Sequence, residues 1–149
     1  MASIGKVALP PVSQVCIVVR DIEKAADYYT STFGIGPFSI DEINMEGPIL
    51  RGKPITLHIK VGFAQSGPLQ VELIQPVEGE NLYTEFLATH GEGLHHLGFE
   101  VDDLKGILAE LATEGIEPIF HHDLGFYAYA YLNSDKVGGV IFELLWSRK

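Results

Sequence analysis

Cysteine is almost missing from this chain. Cys16 stands alone among 149 residues, which excludes an internal disulfide and any cysteine-rich zinc module and fits a reducing compartment. Positive charge is scarce as well. Ten Lys and Arg face twenty Asp and Glu, a formal net charge of −10, so a phosphate backbone or an anionic bilayer would be repelled. Nucleic acid and membrane are therefore not expected as partners. No apolar run approaches the ~18 residues of a membrane span. Met1 to Gln14 holds one Lys and a Pro10-Pro11 break in place of an export signal. The expected location is the cytoplasm. What is present suits one folded unit over residues 1–149, long enough to bury a core without a cofactor staple.

Val12 to Val19 is β-branched and apolar around Gln14 and Cys16, and predicts a strand. Asp21 is placed to cap the following helix, whose apolar residues Ile22, Ala25, Ala26, Tyr29 and Phe33 share one face before Gly34. Strands are predicted at Phe38 to Ile43, Ile55 to Phe63 and Leu69 to Ile74, divided by Gly and Pro. A short connector helix is expected over Asn81 to His90. The pattern then returns: a strand at Leu94 to Val101, a helix opened by Asp102-Asp103 and closed by Gly115, and strands at Glu117 to Phe120, Tyr127 to Leu132 and Val140 to Trp146. The chain reads βαβββ twice, with modules at about 12–76 and 94–146 and the connector at about 80–91. The fold class is α+β.

Internal similarity supports the repeat. Gln14 aligns with His96 and Asp21 with Asp103 at an offset of 82, while Glu72 aligns with Glu143 at an offset of 71. Alternate side chains of a strand face opposite ways. With Val15, Ile17 and Val19, Leu97 and Phe99, Val71 and Leu73, and Phe142 and Leu144 packed under helices, Gln14, His96, Glu72 and Glu143 share the other face. Two pseudo-symmetric modules in one curved sheet would gather them in a single cleft. Taken singly, each Glu has a plain reading as a solvated strand residue, and His96 as a core histidine. Together, two carboxylates, an amide oxygen and an imidazole suit one divalent cation, with cobalt, nickel, manganese, magnesium and zinc all admissible.

At these residues the sequence resembles the vicinal oxygen chelate superfamily, which also takes in glyoxalases, bleomycin resistance proteins and dioxygenases. The stretch from Phe86 to Asp103 and the Gly138-Gly139-Val140-Ile141-Phe142-Glu143-Leu144 strand are similar to segments of methylmalonyl-CoA epimerases. The resemblance implies paired βαβββ modules forming an eight-stranded mixed sheet around a metal cleft, a homodimer, and a small-molecule substrate such as an acyl-CoA or a thiol adduct. It implies Gln14, Glu72, His96 and Glu143 as metal ligands. Epimerases usually carry His at the position of Gln14 and often Gln at that of Glu72, so the set here is similar to that of eukaryotic-type glyoxalase I. The residues by which that enzyme contacts glutathione are replaced by Val18 and Pro76. Extradiol dioxygenases need a His where Gln14 stands, which disfavours oxygen chemistry.

The reaction shared by the epimerase and glyoxalase branches removes a proton next to a carbonyl, for which a metal supplies charge stabilisation. Glu72 and Glu143 are the candidate base and acid. A lyase of the glyoxalase type and a metal-free binding protein are the alternatives. If Ile59, Val61 and Phe63 face the helices, His58 and Lys60 point into the cleft and are candidate substrate contacts. Tyr129, with Tyr127 and Tyr131, is placed either to wall the pocket or to pack in the core. Arg51 and Lys53 together with Lys60 form the one local gathering of positive charge, suited to coenzyme A phosphates or to solvent. His121-His122-Asp123 reads as a strand end. His95, next to His96, is expected to point away from the cleft in a structural or supporting role.

Overall fold

Asp21 accepts a hydrogen bond from the backbone of Lys24 and caps α1 (Ile22–Phe33), and Gly34 ends that helix in the left-handed conformation, φ 70°. The same device opens the second module, where Asp103 accepts from the backbone of Gly106 ahead of α3 (Leu104–Ala112). Asn81 caps α2 (Leu82–Thr89) through a capping box with Thr84. The computed structural model describes residues 7–149, so part of the amino-terminal stretch read above for an export signal lies outside them. The strands are β1 (Gln14–Val18), β2 (Ser39–Leu50), β3 (Lys53–Ser66), β4 (Leu69–Glu78), β5 (Gly93–Glu100), β6 (Pro118–Asp123), β7 (Tyr127–Leu132) and β8 (Ile141–Ser147).

The strand order is β1-β4-β3-β2-β6-β7-β8-β5, closed into a barrel. Each module has the same internal order. Parallel pairs β1·β4 and β5·β8 lie beside the antiparallel seam β1·β5. The opposite seam is slight: Ile49 pairs with His121 and Leu50 with Phe120. The curved sheet expected from sequence thus closes on itself. Register reproduces the repeat, since Cys16 stands beside Glu72 and Gly98 beside Glu143, the same offsets of 82 and 71 read from the chain.

Three apolar clusters hold these elements. Ile22 and Ala26 of α1 pack on Val19 and Leu73 outside the barrel, and α3 packs through Leu104, Ile107 and Leu108 on Phe99, Leu132 and Leu144. The third lies inside, with Cys16, Val18, Leu57, Ile59, Val61 and Phe120. Leu82 and Tyr83 of α2 belong to this interior cluster. The segment expected as a plain connector therefore packs into the barrel core. Among the described residues, no helix is long and apolar enough to cross a membrane.

Candidate functional site

A cavity of about 660 Å³ occupies the barrel, with Gln14, Glu72 and Glu143 in its lining. Gln14, Glu72, His96 and Glu143 are all buried, His96 completely. The four face inward because β1, β4, β5 and β8 spend their alternate apolar residues on the helices. Nε2 of His96 lies 3.3 Å from Oε1 of Glu72 and 3.0 Å from Oε1 of Glu143. Gln14 donates through Nε2 to Oε1 of Gln70 at 2.8 Å. That leaves Oε1 of Gln14 buried without a hydrogen-bond partner, and Oε1 of Glu72 and Nε2 of His96, although 3.3 Å apart, make no well-aligned hydrogen bond either. Burying such atoms unpaired is costly, about 1–3 kcal/mol each. Atoms of these types, an amide oxygen, a carboxylate oxygen and an imidazole nitrogen, are ones a cation could satisfy.

The seam is built to hold these donors. Gln14 stands opposite Gly98, and Cys16 opposite His96, so each long side chain of one strand meets a small residue of the other. A Cβ on Gly98 would come within 3.0 Å of both Cβ and Oε1 of Gln14. Gly98→Val is therefore expected to displace Gln14, lowering stability by about 1–3 kcal/mol and divalent-cation affinity by about ten-fold; thermal unfolding with and without added cation measures both.

His95 departs from strand alternation. In the β1·β5 register Cys16 pairs with His96 and Ile17 with Leu94, so His95 is the extra residue of a bulge. It is buried beside Tyr83, Phe86 and Tyr131 instead of pointing away. Its Nδ1 lies 2.9 Å from Nδ1 of His96. Burial, with His96 beside it, lowers His95 to about 3, so it is neutral and able to accept. With Nδ1–H of His96 donating there, Nε2 of His96 would present a lone pair to the two glutamates in the neutral ring, the form a cation would require. Burial by itself would lower His96, but Cys16 and Glu143 outweigh it and raise the imidazole well above its ordinary value. Burial raises the Glu143 carboxyl against the lowering effect of His96.

The residue set fits a divalent cation: two carboxylates, an amide oxygen and an imidazole, with unpartnered donor atoms on three of the four. Among the described residues, the acidic, thiol and imidazole ligand atoms that all lie within 4.8 Å of one another are those of Cys16, Glu72 and His96, a group that leaves out Glu143. Sequence reasoning passed over Cys16, although it shares the face of Gln14 two residues on. Burial pushes its thiol up to about 12, which keeps it protonated. Gln70, two residues before Glu72 on the same face, was also missed.

His58 and Lys60 lie elsewhere. Leu57, Ile59, Val61 and Phe63 are the β3 residues that line the cavity, so the side chains between them point outward, opposite to expectation. His58 meets Glu42 at 2.7 Å, and Lys60 reaches Glu23 of α1 at 3.0 Å. An apolar cavity and a helix both demand apolar neighbours, and alternation alone does not tell them apart. Lys60→Ala is expected to change ligand binding less than two-fold and stability by about 0.5 kcal/mol or less, since the pair is exposed. Arg51 pairs with Glu85 at 2.8 Å, and neither it nor Lys53 lines the cavity. Tyr127, Tyr129 and Tyr131 do line it, and the Tyr129 hydroxyl is buried without a partner.

A family model described as Glyoxalase/Bleomycin resistance protein/Dioxygenase superfamily matches residues 13–129, and the chain belongs to that superfamily. Methylmalonyl-CoA epimerase, mitochondrial, of Mus musculus is 26% identical over 137 residues, covering 89% of this chain and 70% of that protein. A variant of Streptomyces coelicolor methylmalonyl-CoA epimerase, solved in complex with 2-nitronate-propionyl-CoA, superposes with a TM-score of 0.73 at 18% identity, covering 95% of this chain and all of that one. Methylmalonyl-CoA epimerase from Mycobacterium tuberculosis gives 0.70 at 19% identity, covering 99% and 94%. The structural likenesses speak for the α+β fold of paired modules.

Proposed function

We propose that this chain is an isomerase of the epimerase type, which removes and returns a proton next to a carbonyl with a divalent cation held by Gln14, Glu72, His96 and Glu143. The observation that supports it most is the approach of both glutamates to one imidazole nitrogen at the cavity wall, with buried donor atoms left unpaired. When bound, such a cation lends positive charge to a carbonyl oxygen and makes the neighbouring proton easier to remove.

The protein residues supply the proton traffic. Glu72 and Glu143 hold equivalent places in the two modules and approach His96 from β4 and β8, so one, as the carboxylate, would take the proton while the other, as the carboxylic acid, delivers its own to the opposite face of the carbon. His95 fixes the His96 ring through the Nδ1 contact. Apolar side chains from β3 and the Tyr129 ring wall the cavity and keep bulk water from the reacting carbon. The Gln, Glu, His, Glu donor set favours a second reading, a glyoxalase-type lyase acting on a hemithioacetal.

Both readings are tested by deuterium uptake from heavy water at the carbon next to the carbonyl, in a panel of acyl thioesters, ketones and hemithioacetals with and without added cation. Cation-dependent exchange is expected. Exchange in hemithioacetals alone would favour the lyase, and no exchange in any class would remove both.

A further inference from the structure

The cavity carries an electrostatic signature that the relatives' names do not explain. Its charged lining side chains are Glu72, Glu100, Asp102 and Glu143 against one cation, Lys149. Lys149 lies 3.3 Å from Asp102 in an exposed pair, worth little to a ligand. A divalent cation would balance Glu72 and Glu143, and Lys149 offsets Asp102, which leaves Glu100 as the one unmatched charge and no cation free to pair with an anion. Among the described residues, no arginine lines the cavity, and the one histidine at its wall is His96, which the two glutamates approach. Elsewhere its wall is uncharged, with hydrocarbon and aromatic rings such as Ile59, Val61, Phe63, Leu145 and Trp146 beside neutral polar groups of Gln14, Gln70, Ser147 and the tyrosines. Inside the wall an anionic group away from the reacting carbonyl finds no free cationic partner and is costly to bury, and at the exposed rim it meets a net negative charge that salt screens.

Resting on the carbon-acid reading above, we propose that the substrate is an uncharged, mainly hydrocarbon carbonyl compound, a ketone or ester, and not a coenzyme A thioester. About 660 Å³ admits a ligand of drug size. It does not enclose a coenzyme A nucleotide, whose phosphates would stay at an opening set with Glu100 and Asp102. The cavity rejects the wrong ligand by charge as well as receiving the right one by apolar contact.

Trp146, the sole tryptophan, lines the cavity, so its emission reports occupancy without any turnover. The full chain, with and without one equivalent of cobalt, is titrated with dihydrochalcone, with the same ketone carrying a carboxylate on its distal ring, and with propanoyl-coenzyme A. Dihydrochalcone is expected to bind about ten-fold more tightly than its carboxylate and more tightly than the thioester, in both metal states. Added salt narrows that gap, as does the double variant Glu100→Gln, Asp102→Asn. Equal or tighter binding of the carboxylate or of propanoyl-coenzyme A overturns the proposal, as does the absence of saturable dihydrochalcone binding below about 1 mM. Binding order tests the substrate class. Deuterium exchange in the same ketone tests the isomerase reading beneath it, so the two can fail separately.

Discussion

Glu143→Gln is expected to slow exchange of the proton next to the carbonyl by about 100- to 10,000-fold, the span over which a positioned acid or base contributes. The substitution preserves volume and one side-chain oxygen at a position already buried beside Leu144 and Leu145, so the barrel should persist, as circular dichroism can verify. What disappears is the capacity to take up a proton 3.0 Å from His96. Glu72→Gln removes the matching group of the other module and should cost a similar factor. The double variant should fall little below either single one, because a proton relay with one end missing is already broken. Cation content measured on each variant separates loss of a ligand from loss of proton transfer. A Glu143→Gln protein that binds cation and exchanges at the parental rate would show that this carboxylate does not carry the proton.

His96→Ala should have the largest effect on cation affinity, a fall of at least about 100-fold, and should lower folding stability by about 3 kcal/mol. His96 is fully buried between Cys16 of the neighbouring strand and the Tyr131 ring, 4.7 Å away between centroids. Removing it leaves two buried carboxylates without their shared imidazole and opens a void. His96→Gln fills most of that void and keeps a polar head. It is expected to regain part of the stability while affinity stays low, as titration calorimetry and thermal unfolding on both variants would record.

Much of this architecture is written in short-range chemistry. Asp21, Asn81 and Asp103 stand where helices begin, and the apolar spacing after each marks a face. The repeat that pairs Gln14 with His96 survives as strand register because both modules pair their outer strands alike. The error on β3 has a plain physical origin: alternation says which residues share a face and not what lies beyond it. Ile59 and Val61 face a cavity and Val71 and Leu73 lie on a helix-covered face, yet all four are apolar, so His58 and Lys60 were assigned to the wrong side of β3. A single bulge turned His95 inward, and nothing in the Leu94-His95-His96-Leu97 run marks it. The β2·β6 seam rests on two residue pairs and brings together segments some seventy residues apart, which no local pattern encodes. Tyr83 carries a signal that could have been read: an aromatic beside Leu82 at the start of a short helix is more apolar than a surface connector needs, and both side chains are buried in the barrel.

The central claim is that four side chains of the two modules hold one cation inside the barrel. Its most direct test is an anomalous-difference map from crystals of the cobalt-loaded protein. One peak per chain is expected, with the side-chain oxygens of Gln14, Glu72 and Glu143 and Nε2 of His96 at about 2.0–2.3 Å. A peak at any other group of residues, or none at full cobalt loading, would contradict it.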